Sequence, residues 1–396
     1  MSNRSLVILL GALIGLSPLA IDMYLPSMPA IADDLTASSE SVQNTVSIYL
    51  VFFAIPQLFF GPMADAFGRR LVIFSGMLFF LAGCLLAAVA PNIETLLLAR
   101  ALQGTGSAAF SVTVPALVKD KFNGDEYTRA VGFVMMVMSI APLVAPIVGG
   151  FVFIAGGWRS NFYLLAVLAV VCGVFFFRMV EESLPDERRV PLNIEKLLKN
   201  YGRLISDRHC LGLCLGIGGM VAGLMAFIAG SPFVLIELYG VPEQYYGFLF
   251  GINVLVMMLM TYLNNRLIHL FDNQKLLWGC TALIFVASVY LLAIAQMDRP
   301  AVWMIMLGSA LFIGNLGMFS ANTQVILLSR FAQTSGAAAA LMGAFRFGVG
   351  SLGGFAIGRF HASSAAPLLM VMGVCGLFIC AVVAFAGKKP IESSSA

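Results

Sequence analysis

The chain has 396 residues, of which 60% are hydrophobic and only 11% are charged, and its mean hydropathy is +0.94. A soluble protein of this length could not bury so much apolar surface in one core, so lipid must act as part of its solvent. The formal net charge of +3 is small and the basic residues are scattered, which argues against a nucleic-acid partner. The composition therefore predicts a protein embedded in membrane lipid.

Twelve apolar segments are long enough to cross a membrane as helices. The first, from Leu6 to Pro29, follows Arg4 as a signal peptide would, but it is too long for one and contains Asp22. We therefore expect it to be retained, and we predict an all-α membrane protein. The predicted spans cover roughly residues 5–30, 43–64, 71–90, 93–118, 130–154, 160–180, 209–234, 244–265, 276–296, 300–323, 336–358 and 366–387.

The longest gap between spans, residues 181–208, divides the chain into two groups of six. Apolar residues alternate with charged ones between Val190 and Ile205, a pattern typical of an amphipathic helix on a membrane surface. We predict an N-terminal six-helix bundle (1–180), a cytoplasmic linker with this helix (181–208) and a C-terminal six-helix bundle (209–396). Two such halves indicate parallel repeats that enclose a site near the midplane.

Lysine and arginine are distributed unequally between the two sides of this topology. Of the 23 basic residues, 18 fall on the side that holds both termini and the linker. The opposite gaps hold only Arg159, Arg299 and Arg359, and the spans themselves hold Arg100 and Arg346. Because loops rich in basic residues stay in the cytoplasm, we predict that both termini are cytoplasmic.

Asp22 is an acid within an apolar span, where a carboxylate costs a few kcal/mol and usually marks a proton relay or a substrate path. Arg100 is the one cation of the first half that can meet it. Both residues lie roughly 10–12 Å below the outer surface on spans that run in opposite directions. The sequence thus predicts a buried Asp22–Arg100 pair that couples transport to protons.

The loop after the second span contains a charged turn. Asp65 ends a helix, where the helix dipole disfavours negative charge, so it needs partners. Arg69 lies four residues on, and the start of span eleven at Thr334–Gly336 offers free amides. Gly61 permits close helix approach and Gly68 permits a tight turn.

These motifs resemble those of the major facilitator superfamily. Its loop signature, G-x-x-x-D-x-x-G-R-[RK], is matched by Gly61, Asp65, Gly68, Arg69 and Arg70. Its fourth-span motif, R-x-x-Q-G, is matched by Arg100, Gln103 and Gly104, and the family links that arginine to proton coupling. The resemblance implies twelve transmembrane helices in two six-helix pseudo-repeats.

Further motifs narrow the resemblance to drug:proton antiporters. Ala141–Pro146, followed by Gly149 and Gly150, is similar to the fifth-span antiporter motif, with alanine in place of the usual glycine before proline. Asp22–Pro26 and Ser231-Pro232 resemble the Bcr/CflA subgroup, which is associated with resistance to bicyclomycin, chloramphenicol and similar compounds. Independently of the family, Pro142 and Pro146 each remove a backbone donor. The resulting bend could serve alternating access or be a static packing kink.

Several side chains are candidates for lining a central cavity. Arg346 lies about 15–20 Å from the inner end of span eleven, near the midplane. It could brace helix carbonyls, bind Asn315 or Asn253, or contact a substrate. The polar candidates Gln57, Asn253 and Asn315 could equally hydrogen-bond between helices. Aromatic candidates for the cavity wall are Tyr24, Tyr49, Phe53, Phe227, Phe233, Tyr246 and Phe250.

Other chemistries find no support in the sequence. The pattern Gly348–Gly353 fits a dinucleotide motif, but it lies within an apolar span and no strand precedes it. No phosphate-binding G-x-x-x-x-G-K-[ST] motif occurs, and His, Cys and carboxylate residues do not form a metal-ligand or hydrolytic set. We therefore expect no cofactor, no metal and no enzymatic activity.

We predict a proton-coupled exporter of small lipophilic or zwitterionic drugs in the bacterial inner membrane. We expect it to exchange protons for a small-molecule substrate by alternating access, and to work as a monomer. Two alternatives stay open. One is a proton-coupled symporter that imports a small nutrient, against which the proline-rich fifth span argues. The other is a membrane sensor or scaffold, against which the lack of a signalling domain argues.

Overall fold

The computed structural model describes residues 3–331, 334–360 and 364–387, and all of the regular structure in these ranges is helical. The α-helices are α1 (Asn3–Asp22), α2 (Met28–Asp34), α3 (Ser39–Phe67), α4 (Arg69–Ala88), α5 (Ile93–Lys121), α6 (Gly124–Gly156), α7 (Arg159–Met179), α8 (Ile194–Ser206), α9 (Arg208–Pro232), α10 (Glu243–Leu267), α11 (Asn273–Ile294), α12 (Val302–Ile313), α13 (Leu316–Arg330), α14 (Ser335–Gly358) and α15 (Ala366–Ala386).

Eleven helical stretches of the described residues are long and apolar enough to cross a membrane. The remaining predicted span, the fourth (93–118), corresponds to α5, which has 29 residues but is less apolar because it carries Arg100, Gln103 and several small polar residues. A polar helix at this position is tolerated because α5 packs between α3 and α4 rather than against lipid. The predicted all-helical, multi-pass membrane fold is confirmed.

Three spans that the sequence predicts as continuous helices are interrupted. The first breaks after Asp22, passes through a 3₁₀ turn at Leu25–Ser27 and resumes as α2. Pro26 and Pro29 lack the N–H groups that would continue the helix, so the break follows from their positions. The seventh span continues beyond Pro232 as a π-helical turn (Phe233–Leu238), and the tenth breaks between α12 and α13.

Helices of the first half, α1–α7, contact those of the second half, α9–α15, mainly at one end of the bundle. We call the end that holds Phe67, Arg69 and the 180–207 segment the linker face, and the other end the far face. At the far face Arg359 lies 3.6 Å from Glu40, and the backbone at Gly150 faces the carbonyl of Glu243. The contacts of α3 with α14 continue inward to Phe53 and Phe347, whose rings meet edge to face at 4.6 Å.

The linker face is bridged by α8. Its apolar residues Tyr201 and Leu204 are buried, and the helix packs on α9 and α14. The Tyr201 hydroxyl donates to the carbonyl oxygen of Leu58 at 3.2 Å. That carbonyl has no helical partner because the residue four positions on is Pro62, which has no N–H. The predicted division at residues 180 and 208 stays a prediction.

Candidate functional site

Arg100 is fully buried in α5 and is held by the first span. Its Nη1 donates to the carbonyl of Ala20 at 2.8 Å and to Oε1 of Gln103 at 2.7 Å. Its guanidinium lies 4.5 Å from the ring centroids of both Tyr24 and Tyr49. Cation–π contacts of this kind are strongest where water is excluded, so two tyrosines and a carbonyl fix the arginine in place.

Asp22, the last residue of α1, is also buried, with 3% of its surface exposed. No ion pair or hydrogen bond joins it to Arg100 in the described structure, and its Oδ1 has no hydrogen-bond partner. A direct ion pair is therefore absent from this conformation, and the predicted coupling role of the two residues stays a prediction. The break after Asp22 leaves the nearby Ala20 carbonyl free to accept from Arg100. The two charges share a site, and Nη2 of Arg100 is likewise buried without a partner.

Hydroxyl groups lock the two tyrosines that contact Arg100. The Tyr24 hydroxyl pairs with Oγ1 of Thr45 at 2.9 Å. The Tyr49 hydroxyl donates to Oγ of Ser107 at 2.6 Å. Sequence reasoning missed Thr45 and Ser107, because a small hydroxyl residue in an apolar helix carries no distinctive pattern. Both tyrosines are fully buried, so in this conformation they position Arg100, and a role in a cavity wall stays a prediction.

A second aromatic cluster lies in the other half of the chain. The hydroxyl of Tyr246 on α10 pairs with Oγ of Ser231 on α9 at 2.9 Å. The Phe250 ring lies 6.2 Å from the rings of both Tyr246 and Phe227. All four side chains are buried, as is Phe233, and α10 packs against the 3₁₀ turn that follows Asp22. The structure thus brings this cluster beside the break in the first span.

The polar cavity candidates have unsatisfied hydrogen-bonding atoms. Oδ1 of Asn253 accepts from Ser309 at 2.9 Å, whereas its Nδ2 is buried without a partner. Nδ2 of Asn315 donates to its own helix at Leu311, and its Oδ1 is unpaired. Nε2 of Gln57 is also buried without a partner. No hydrogen bond links these three amides to one another among the described residues.

The charged turn after α3 forms the ion pair that the sequence predicts. Oδ1 of Asp65 lies 2.6 Å from Nη1 of Arg69, and Nε of the same arginine lies 3.3 Å from Asp120. Gly68 adopts φ = 101°, which a side chain would disfavour, so the tight turn is confirmed. Gly61 faces Val112 on α5. Within the described residues, the amides at Thr334–Gly336 make no hydrogen bond to Asp65.

Glu182 is the main residue of this turn that sequence reasoning missed. Its carboxylate accepts from the backbone amides of Arg69 and Arg70, each at 3.0 Å, and so caps the start of α4. The helix begins after Gly68, which has no side chain to cap it, and this vacant capping position was the available signal. Partial burial would raise the pKa of Glu182, but backbone hydrogen bonds from Leu184, Arg70, Arg69 and Ser183 outweigh it and lower the pKa.

Replacing Glu182 by glutamine should destabilise the protein by about 1–3 kcal/mol at neutral pH, because an NH₂ group would face a backbone N–H. Because its pKa is lowered on folding, the Glu182 carboxylate stabilises the fold in full at pH values above the ordinary glutamate pKa of 4.5. This contribution is lost as the pH falls through the lowered pKa. The stability gap between wild type and Glu182→Gln should therefore narrow in acid. Denaturant titrations of both proteins in detergent at several pH values measure this difference in the free energy of unfolding. The substitution Glu181→Gln, at an exposed neighbouring residue, is the matched control. A constant gap would contradict the capping role.

The fifth-span motif seats α6 against both halves of the chain. Gly149 lies against the backbone carbonyl of Met23, directly beside the break after Asp22, where no side chain fits. Gly150 faces α10, where a Cβ would lie 3.1 Å from the carbonyl of Glu243. The helix is continuous through Pro142 and Pro146. Its glycines thus have a packing role, whereas movement at the prolines stays a prediction.

Gly104 of the fourth-span motif has a similar packing role. Its Cα faces the backbone carbonyl of Tyr49, so α3 and α5 approach closely at the level of Arg100. Arg70 of the loop motif donates from Nη2 to the carbonyl of Phe177 at 2.7 Å and lies over that ring. Gly104 therefore brings α3 and α5 together at the level of Arg100, whereas Arg70 joins α4 to α7 at the linker face.

A multi-pass helical bundle with buried ionisable residues and a broken first span is typical of membrane transporters. The Major Facilitator Superfamily profile matches residues 10–358, and the chain belongs to this superfamily. The chain is 32% identical to the bicyclomycin resistance protein homolog of Haemophilus influenzae, over 93% of this chain and 92% of that one. It is 28% identical to multidrug resistance protein D of Escherichia coli, over 86% and 85% respectively.

A solved structure shares the fold. The crystal structure of a D-xylose-proton symporter has a TM-score of 0.73 at 14% identity and covers 99% of both chains. At this identity the likeness concerns the fold alone. The family predicted from the loop and fourth-span motifs is confirmed, and the names of the relatives agree with the Bcr/CflA subgroup.

Proposed function

We propose that this transporter is a drug:proton antiporter that exports small lipophilic or zwitterionic compounds from the cytoplasm. The names of the bicyclomycin and multidrug resistance relatives support the substrate class. The observation that carries the proposal is Asp22, a buried carboxyl group beside Arg100 in a part of the fold otherwise made of apolar and neutral polar side chains. Such a group can carry a proton through a transport cycle.

Asp22 and Arg100 offer two arrangements that differ by one proton. In this conformation Oδ1 of Asp22 and Nη2 of Arg100 are both buried without hydrogen bonds. An ionised carboxylate needs that free guanidinium group, because a lone buried charge is costly. A protonated carboxyl does not need it, so Arg100 can keep the Ala20 carbonyl and the two tyrosine rings. Proton loading would thus change which partners hold the end of α1.

The orientation proposed for the bundle makes this conformation inward-facing. We place the linker face in the cytoplasm, because 18 of the 23 basic residues lie on that side of the predicted topology. The close contacts between α3 and α14 and between α6 and α10 lie toward the far face. Residues 1–180 and 209–396 would rock against each other, with 181–208 as the tether, so that the central site opens to each side in turn.

We also propose a location, an oligomeric state and partners for the transporter. Both termini are placed in the cytoplasm and the protein in the bacterial inner membrane, where a proton gradient is available. One chain supplies both halves of the central site, so we propose that it works as a monomer. Its partners are the small-molecule substrate, protons and membrane lipid, and transport requires no chemical conversion of the substrate.

Inverted membrane vesicles with an acidic interior test the proposal. Chloramphenicol or bicyclomycin added outside should collapse the gradient, because each drug molecule that enters releases protons. Vesicles from cells without the protein are the control. A nutrient symporter would not collapse the gradient under these conditions, since its substrate and protons move in the same direction. If a broad panel of resistance drugs leaves the gradient unchanged, the antiport proposal is wrong.

A further inference from the structure

Arg346 lies on the side of α14 that faces the seam between the two halves. On one side of α14, Gly343 faces the amide of Gln57 on α3 and Phe347 packs on Phe53. On the other side, Val349 faces Gly218 on α9. With 3.6 residues per turn, Arg346 falls between these two sides of the helix. Its side chain is therefore directed toward the line where α3, α9 and α14 meet.

In the described part of the chain, no group satisfies the hydrogen-bonding capacity of Arg346. It forms no ion pair and donates no hydrogen bond among the described residues, and its Nε is buried without a partner. Its guanidinium lies 5.6 Å from the ring of the adjacent Phe347. A bracing role would require Arg346 to donate to helix carbonyls or side-chain oxygens, and among the described residues it donates to none. The structure thus favours a ligand over a structural role.

Gln57 adds a second unsatisfied donor at the same seam. Its Oε1 lies next to Gly343, which is three residues from Arg346 and therefore on a neighbouring position of the helix surface. Its Nε2 is buried without a partner. Arg346 and Gln57 thus bring donors from opposite halves of the chain to adjoining positions of this seam, and among the described residues neither donor is bonded to an acceptor. A ligand that fits must bring oxygen acceptors, and beside a guanidinium the best acceptor is an anion.

The balance of charges deep inside the bundle also favours an anionic ligand. Within the described spans they are Asp22, Arg100 and Arg346, so two cations accompany one acid. Water can reach Arg346, which is partly exposed in this conformation, but closure of the site would remove that water. A desolvated guanidinium is costly unless an anion pairs with it. An anionic group on the substrate would therefore favour closure around the loaded site.

We propose that Arg346 and Gln57 bind an anionic group, of the carboxylate or sulfonate class, on the exported compound. The guanidinium fork matches the two oxygens of such a group, and Gln57 supplies a further donor from the first half. This inference rests on the proposed export function, because it assigns a substrate class to the same transporter. It selects organic anions and zwitterions from the broader set of lipophilic compounds.

Binding of 2-naphthoate and of its uncharged counterpart 2-naphthamide to the purified protein tests this assignment. The wild type should bind the acid more tightly than the amide, by calorimetry and by thermal stabilisation. Arg346→Gln should weaken naphthoate binding by about ten-fold or more, because a charge-assisted hydrogen bond is lost, and leave the amide unaffected. Arg346→Lys should retain part of the preference. Arg359→Gln, at the exposed end of the same helix, is the matched control.

Two results would overturn the assignment. One is a wild-type protein with no preference for the acid, including one that binds neither compound. The other is a folded Arg346→Gln protein, shown by an unchanged melting temperature, that keeps the preference.

The vesicle assay separates this inference from the proposed function. If chloramphenicol drives proton release but naphthoate is not preferred, antiport stands and the anion site falls. If naphthoate binding depends on Arg346 but no drug drives proton release, the anion site stands and the antiport proposal is wrong.

Discussion

Asp22→Asn should abolish drug-driven proton release from inverted vesicles while leaving the protein folded. Asparagine has nearly the same shape as aspartate but cannot bind and release a proton. The substitution should also leave thermal stability unchanged or raise it, because it removes a buried carboxyl whose Oδ1 has no partner. Loss of function without loss of stability distinguishes a proton carrier from a structural residue.

Asp33→Asn provides the matched control for this experiment. Asp33 is an exposed carboxylate near the end of α2, on the same interrupted span, and its replacement should preserve proton release. Both variants are compared in vesicles that contain equal amounts of protein. Full drug-driven proton release by Asp22→Asn would show that another group carries the proton, and the proposed role of Asp22 would then be wrong.

Arg100→Lys should lower the free energy of unfolding by about 2–4 kcal/mol and impair transport, although the charge is retained. A lysine has no planar fork, so it cannot reach the Ala20 carbonyl and Gln103 while lying against both Tyr24 and Tyr49 as the guanidinium does. The freed acceptors would remain buried, which is costly. Denaturant titration in detergent measures the stability, and the vesicle assay measures the transport.

Arg159→Lys is the control for the arginine-to-lysine change. Arg159 also forms an ion pair, at 2.6 Å from Asp34, and lies over the ring of Trp158, but it is at the exposed far face. Exposed pairs contribute little, so its replacement should cost less than about 1 kcal/mol and leave transport intact. Equal effects of the two substitutions would mean that the contacts of Arg100 contribute no more than those of a surface arginine.

Local patterns predicted much of this fold. Apolar segments of sufficient length correspond to the spanning helices, and the gap at 181–208 contains the short helix α8. The pair formed by Asp65 and Arg69 followed from a spacing of four residues and the helix dipole. The burial of Asp22 and Arg100 followed from their depth along the helices. Each inference needed only neighbouring residues and the thickness of a membrane.

The partners of the buried polar groups were beyond reach of such patterns. Arg100 binds the carbonyl of Ala20, 80 positions away, rather than the carboxylate of Asp22. Glu182 caps a helix that begins 113 positions earlier. Every residue carries a backbone carbonyl and amide, so composition does not reveal which of them a helix break or a missing cap leaves free.

The sequence by itself determined that this chain is a membrane-embedded transporter with one acid and two arginines deep in its spans. Lipid penalises every buried charge, so the few charges that remain in the spans indicate function. Only the tertiary structure decided which of these charges meet. Arg100 is held by a carbonyl of a broken helix and by two tyrosines, and among the described residues neither Asp22 nor Arg346 forms an ion pair. Pairing depends on how the helices pack and where they break, and these features arise from contacts along the whole chain.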